Sequence, residues 1–349
     1  MNMITNKELS KMLGVSEATI SLVLNGKAGI SEKTRKNVLA RIKELGYEDM
    51  IGEKAWKPNG NQIELTRGVV QNIAFVLYRV SGQLLGMNSF FPLIFEGIES
   101  TARKYGYNLT VLTVNRENIQ EGVLNIKDSG CVGYVIFATE MQEMDIPYFE
   151  SLNLPFVLFD NFFAGSDVNS VKVNNEQGIY LALHHLCQLG HKRIGYLSSG
   201  LAINSFAERK WYTKRILQDF GLDLDEKDCF EIGYPSENAE MGMREVLEKK
   251  VNLPTAFVCD NDLVAIGAMQ AVKKAGLKVP DEVAFVGYDD RPICELVEPG
   301  LTTIRLPRDV FGAAAVEKLI DLIRQQNAWT SKLEINGELI IRESTGREK

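Results

Sequence analysis

Over the first 48 residues, apolar positions recur with the spacing of three short helices. Leu9, Met12 and Leu13 form one face, Ile20, Val23 and Leu24 a second, and Val38, Ile42 and Leu45 a third. Thr5-Asn6-Lys7-Glu8 reads as a capping box, Gly14 as a left-handed helix end, and Ser16 and Ser31 as N-caps. The tight Gly14-Val15-Ser16 turn predicts a helix-turn-helix unit. Residues 49–72 break the pattern: Gly52, Pro58, Gly60 and Gly68, with Asn59 and Asn61, read as a linker. From residue 73 to 349, apolar β-rich runs alternate with helical stretches, which predicts an α/β body with parallel sheets. Strands are expected over 73–78, 109–114, 132–138 and 156–159, then 193–198, 255–259 and 283–287. Helices are expected over 93–105, 208–220 and 263–275. The pattern repeats itself, and 155–161 echoes 284–290, so two lobes clamping a ligand are expected. The first lobe is placed at about 73–160 and 292–325, the second at about 163–290 and 328–345.

The chain has 349 residues, 45% of them hydrophobic and 24% charged, enough apolar material for cores that need no disulfide or metal staple. Five scattered cysteines without a C-x-x-C pair argue against a secreted disulfide framework and a cysteine zinc site. No apolar run reaches the roughly 18 residues of a membrane span, and residues 1–8 lack a signal-peptide core. A cytoplasmic location without membrane contact is the expectation. The net charge of −7 is unevenly spread: residues 1–68 hold 11 Lys and Arg against 8 Asp and Glu, leaving 28 against 38 beyond. A small basic head on an acidic body fits a DNA contact, or a bland asymmetry of surface charge.

The second head helix turns Glu17, Ala18, Ser21 and Leu22 away from its apolar face, where a recognition helix presents side chains to base edges. Ser16, Ser31 and the helix N-termini can donate to phosphates. Such a unit could equally bind a protein. The run 13–26, Leu13-Gly14-Val15-Ser16-Glu17-Ala18-Thr19-Ile20 through Asn25-Gly26, then Ile30-Ser31-Glu32-Lys33-Thr34-Arg35 and Leu45-Gly46-Tyr47, resembles the headpiece of the LacI/GalR family of bacterial transcription regulators. The resemblance implies base reading by Glu17, Ala18 and Leu22, supported by Thr5, Ser16, Ser21 and Asn25. It also implies a hinge helix in the linker, with Trp56 as a minor-groove wedge. This chain departs from the pattern at Leu22, where many members carry arginine, at Ser10, usually alanine, and in a linker that lacks the Tyr-x-Pro-Asn start.

In the body, Asp160-Asn161, Asp260-Asn261-Asp262 and Asp289-Asp290 each follow an apolar strand, where open α/β sheets bind ligands. Helix capping is the competing reading, and Asp262 suits it. Leu189-Gly190-His191-Lys192-Arg193-Ile194-Gly195-Tyr196, 261–268, 286–290, 301–304 and 339–345 resemble the family's periplasmic-binding-protein-like effector domain. That resemblance implies effector contacts by Ser205, Arg209, Asn261 and Asp289, with Asp160 at the lobe junction. Phe91 is a stacking platform for a sugar face or a core residue. Tyr212 stands where the pattern has glycine and adds bulk beside the expected pocket. Nucleotide-loop, zincin and nucleophile-elbow motifs are missing, and three histidines give little for a metal. The expectation is a non-enzymatic DNA-binding regulator, a repressor by the resemblance, with no cofactor. Its partners are a near-palindromic double-stranded operator, a carbohydrate effector and a second copy of the chain as homodimer. The alternatives are a sugar-binding protein or an α/β enzyme without a DNA role.

Overall fold

A computed structural model describes residues 5–24, 30, 34, 37–39, 41–42, 71–80, 91–325 and 329–346. The chain divides into two units, Met1–Val69 and Val70–Lys349. In the first, α1 (Asn6–Leu13) begins at a capping box in which Thr5 and Glu8 bond each other's backbone N–H, and ends at Gly14 with φ +67°. A side chain there would be strained, so glycine makes the turn. The Ser16 hydroxyl caps α2 (Glu17–Leu24) by accepting from the Thr19 N–H at 3.1 Å. Thr34, Asn37–Leu39 and Arg41–Ile42 are helical, and Leu9, Leu13, Ile20, Val23, Leu24, Val38, Leu39 and Ile42 form one buried cluster. Met12, expected inside, is 49% exposed. Ser10 takes the inward position, its hydroxyl donating to the Lys7 carbonyl at 2.9 Å.

The second unit runs in chain order through β1 (Gln71–Arg79), α3 (Phe91–Lys104), β2 (Tyr107–Asn115), α4 (Ile119–Asp128), β3 (Tyr134–Phe137), α5 (Ile146–Glu150), β4 (Phe156–Phe159) and β5 (Ser170–Val173). After these come α6 (Asn175–Gln188), β6 (Ile194–Ser198), α7 (Asn204–Asp219), β7 (Cys229–Glu231), α8 (Ser236–Glu248), β8 (Ala256–Cys259) and α9 (Asp262–Lys274). The chain finishes with β9 (Ala284–Asp289), α10 (Ile293–Leu296), β10 (Thr302–Arg305), α11 (Arg308–Ile323), β11 (Lys332–Ile335) and β12 (Glu338–Ile340). Among the described residues the strands form two six-stranded sheets, in the orders β11-β5-β4-β3-β1-β2 and β12-β10-β9-β8-β6-β7. All pairings are parallel except β10 with β12. Strands such as Tyr134–Phe137 and Ala256–Cys259 are buried on both faces, which is why they read as unbroken apolar runs.

Each lobe is one sheet with its helices, but the expected lobe boundaries need correction. β10 pairs with β9 and belongs to the second lobe, not to the first, where the sequence pattern places 292–325. β5 and β11 pair with each other at the edge of the first sheet, not in the second lobe, where the sequence pattern places 163–290 and 328–345. These short strands carry Lys172, Lys332 and Glu334, so they lack the apolar run that marks a strand in sequence. Gln71 and Asn72 belong to β1 rather than to the linker.

The chain therefore crosses between lobes three times, at Asn174, at Leu306-Pro307 and at Asn336-Gly337. Asn174 Nδ2 donates to Asn336 Oδ1 at 2.9 Å. The Gln177 amide donates to the Gly337 carbonyl and accepts its N–H, both at 3.0 Å. A Cβ on Gly337 would lie 2.6 Å from Ile304 Cγ2, so the third crossing also rests on the strand leading to the second.

α3 and α11 pack backbone to backbone in the first lobe. A Cβ on Gly97 would run into the Asp309 carbonyl, and one on Gly312 into the Ile94 carbonyl. Gly97→Ala or Gly312→Ala should force the helices apart and cost ~1–3 kcal/mol, the usual penalty of overpacking. Urea unfolding measures this, and an unchanged midpoint in both variants would show that the close approach carries no stability.

Candidate functional site

The body's polar cluster forms where the carboxyl ends of β4, β8 and β9 meet α7. Two of its acids sit on strained backbone: Asp160 has φ +64° and Asp289 φ +107°. Neither is glycine, and such strain persists where the surroundings over-determine it, commonly at ligand sites. The Thr139 hydroxyl donates to Asp160 Oδ2 at 2.5 Å. Burial pushes the Asp160 carboxyl up to about 6. The Thr139 bond and the Arg209 charge oppose that rise, and Asp289 adds to it.

Arg209 is buried at the centre. Its Nε donates to Asn175 Oδ1 at 2.9 Å and its Nη1 to the Asp260 carbonyl at 2.5 Å. Nη2 lies 3.9 Å from Asp289 Oδ1, and the guanidinium carbon stands 3.6 Å above the Tyr288 ring centre. Tyr288 reaches this position because Gly178 leaves room for its hydroxyl. Burial and the Asp289 charge hold that hydroxyl well above the usual phenol range. Behind Asp289, Arg291 Nη2 lies 3.3 Å from its second oxygen.

The other expected residues divide by what they already bond. Ser205 is buried in the first turn of α7. Asn261, not Asp262, caps α9, accepting from Val264 N–H at 3.1 Å. Its carbonyl is taken by the helix and its amide group is what a ligand could meet. Asp262 turns instead to the Thr303 hydroxyl at 2.5 Å and the Arg291 N–H at 2.8 Å. Burial beside Asp289 pushes its carboxyl up to about 7. Asp260 is saturated by Tyr196 Oη at 2.6 Å and by the Ser199 N–H and hydroxyl at 2.6 and 2.7 Å. Phe91 is half-buried in an aromatic cluster, with ring centres 5.9 Å from Phe75 and from Phe137. Most of its ring therefore belongs to the first-lobe core.

Sequence reasoning missed Thr139, Asn175 and Tyr288, whose roles arise from position alone. Tyr212, partly buried, packs at the edge of the apolar core. That ring shares a helix face with Glu208 and senses Glu176 and Glu334, at the crossings. Asn161 links the lobes: its Nδ2 donates to the Ala138 and Met141 carbonyls at 2.8 and 3.1 Å, and its Oδ1 accepts from Asn204 Nδ2 at 2.8 Å.

In the head unit Glu17 and Ala18 are exposed on α2, and Ser21 and Leu22 are half-buried. The Thr5 hydroxyl donates to Glu8 Oε2 at 2.8 Å, and the Ser16 hydroxyl shares a hydrogen bond with Thr19 Oγ1 at 2.8 Å. Both hydroxyls thus serve their helices first. Asn25, Ser31, Trp56 and the hinge lie outside the described residues.

Comparison with known proteins agrees with both units. Residues 7–49 match the family model described as bacterial regulatory proteins, lacI family, and residues 183–345 match a periplasmic binding protein-like domain. The regulator MalR of Streptomyces coelicolor is 30% identical, over 97% of this chain and 95% of its own. The ribose operon repressor of Haemophilus influenzae is 26% identical and the repressor PurR of Mannheimia succiniciproducens 28%, each over 98% of both chains. A lac repressor dimer bound to operator and an anti-inducer superposes with TM-score 0.70 at 25% identity, covering 99% of this chain and all of that one. A cellobiose complex of the regulator CelR, at 23% identity and TM-score 0.71 over 98% of this chain, shares the fold. Among the described residues no helix is long and apolar enough to cross a membrane. With a helix-turn-helix head, a two-sheet effector body and relatives matched along the whole length, this chain belongs to the LacI family of bacterial DNA-binding transcriptional regulators.

Proposed function

We propose that the chain is a cytoplasmic, non-catalytic repressor that binds a near-palindromic operator as a homodimer and answers to a neutral, polyhydroxylated effector of the sugar class. The observation that carries the effector's chemistry is the set of Asp160 from the first lobe with Arg209 and Asp289 from the second, whose charges act on it. Two carboxylates and one guanidinium suit hydroxyl groups, each of which donates to an acid and accepts from the arginine. With Arg209 and Arg291 both set against Asp289, the cluster holds no surplus of positive charge for a phosphorylated or carboxylated ligand. Twofold half-sites match a twofold protein, because one recognition helix reads too few bases alone. Exposed Ile293 and Leu296, near a groove lined by Ile266, Met269 and Val297, offer apolar surface for a second copy.

The deciding experiment is a thermal-shift screen of the full chain against neutral sugars, sugar phosphates and purine bases. A ligand that binds only the folded form raises the melting temperature. Stabilisation by a neutral sugar supports the reading; stabilisation by a sugar phosphate or a purine alone overturns it.

For the sugar so found, Arg209→Ala and Asp289→Ala should each weaken binding by ~1.5–3 kcal/mol, the range for hydrogen bonds to charged groups. Operator binding should stay largely intact. Folded variants with unchanged sugar affinity would remove both residues from the site.

Asp160 makes stability depend on pH. Its folded value of about 6 lies above the ordinary 3.8, so its stabilising contribution is complete below about pH 4 and lost as pH rises through 6. Asp160→Asn should remove this contribution, leaving the variant more stable relative to wild type above pH 6 than at pH 4, by up to ~2 kcal/mol given the group's part-exposure. Unfolding curves between pH 4 and 7.5 measure the difference; parallel curves for the two proteins would contradict it.

Leu22 can touch a thymine methyl but cannot donate to guanine O6 and N7. Leu22→Arg should shift preference toward G at one symmetric pair of positions by roughly 1–3 kcal/mol. It should also raise non-specific affinity if the new charge meets a phosphate. Site selection from random DNA with both proteins tests this, and identical motifs would mean that Leu22 does not approach the bases.

A further inference from the structure

A buried lysine joins the two lobes beside the crossings. Lys172, in β5, is 4% exposed. Its Nζ lies 2.7 Å from Glu208 Oε1 on α7 of the second lobe and 3.1 Å from Glu334 Oε1 on the neighbouring β11. It also stands 3.9 Å over the Phe162 ring centre. Val171 and Val173 on either side belong to the apolar core, and by strand alternation Lys172 points to the opposite face of the sheet.

Glu208 does not end the chain of contacts. Its second oxygen accepts from Asn175 Nδ2 at 2.7 Å, and Asn175 Oδ1 accepts from Arg209 Nε at 2.9 Å. Asn175 opens α6 directly after the first crossing, and Glu334 is the penultimate residue of β11, just before the third. A continuous line of charged and amide groups thus runs from the cleft arginine through two side chains to the edge of the first sheet. Each link is short, and Lys172, Asn175 and Arg209 are buried. Moving one member therefore leaves a buried charge or amide unsatisfied unless the next one follows.

We propose that Lys172 is a positioning residue which, through Glu208 and Asn175, ties the orientation of Arg209 to the seating of the first-lobe edge against α7. Its effect on the regulatory response rests on the reading of Arg209 as an effector contact. A ligand that draws Arg209 off Asn175 frees the Asn175–Glu208 pair and loosens the hold of Lys172 across the lobes. Occupancy of the cleft is thereby coupled to the angle between them.

The test needs no ligand. Among the described residues β11 is an edge strand bonded to β5 alone, so its amides report directly on that edge. Hydrogen exchange followed by mass spectrometry is run on the full chain as wild type, Lys172→Met, Glu208→Gln, the double variant, Arg209→Ala and Glu334→Gln. Lys172→Met and Glu208→Gln should each speed exchange over 332–337 about tenfold, and the double variant should go no further. Arg209→Ala should speed the same segment, although Arg209 bonds none of its residues. Glu334→Gln, which removes the exposed partner and leaves Lys172–Glu208 intact, should change it less than twofold.

Unchanged exchange at 332–337 in a folded Lys172→Met, or additive effects in the double variant, overturns the proposal. So does an Arg209→Ala variant that leaves this segment at the wild-type rate. Should Lys172→Met fail to fold, the isosteric Glu208→Gln decides by the same criterion. An Arg209→Ala variant that speeds exchange yet keeps its sugar affinity would uphold the coupling and remove only the effector assignment.

Discussion

Gln177 and Asn174 hold together the places where the chain passes between its lobes. Gln177 bonds both polar groups of the Gly337 peptide, Asn174 bonds Asn336, and Gly337 lies against Ile304. Three crossings within one small bundle leave the lobes little freedom to separate or slide, so the relative motion that remains is rotation about the bundle. The cleft residues gain their meaning from this constraint. Asp160 ends a strand of one lobe, while Arg209 and Asp289 belong to the other, and a small rotation changes the distance between them directly.

Electrostatics near the bundle is economical. Few of the buried charges there stand alone: Arg209 has Asn175, the Asp260 carbonyl and the Tyr288 face, and Asp289 has Arg209 and Arg291. The neighbouring Asp290 holds Arg305 at 2.7 Å and Arg342 at 2.8 Å, and its carbonyl accepts from Arg308 at the start of α11. Adjacent aspartates on one strained turn therefore face different tasks. Asp289 looks into the cleft, and Asp290 braces the second crossing. Replacing Asp289 would take a carboxylate from the buried Arg209 and Arg291, which is why such clusters resist piecemeal change.

Most of this architecture is legible in the sequence where burial is two-sided. Tyr134–Phe137, Phe156–Phe159 and Ala256–Cys259 announce themselves because every position is apolar. The head is legible for another reason: caps, a turn glycine and i, i+3, i+4 spacing all agree within a few residues. β5 and β11 escape because they pair with each other from distant parts of the chain, Ser170 opposite Lys332, and their charged residues mask the pattern. In the site, Asp289 can be found from its place after an apolar strand, and Arg209 only through the family resemblance. The choice of Asn261 over Asp262 as cap cannot, since both are good caps and only Thr303 and the Arg291 amide draw Asp262 away. Thr139 and Asn175 carry no signal beyond being polar.

The backbone contact between α3 and α11 has a consequence for how the protein is made. α3 is translated early, and the glycine-lined groove it offers is filled by a helix encoded near the far end of the chain. Until α11 emerges from the ribosome, the first lobe has no cover for Ile94 and Ile98 on that side, and β5 has no β11 to shield its edge. The second lobe is different: β6 to β10 follow one another with their helices, and its sheet lacks only the short β12. Synthesis thus favours a folded second lobe beside an unfinished first one, with an open sheet edge during the interval. The lobe adjoining the linker in sequence waits for α11 and β11, so a chain stalled before them cannot present a finished body.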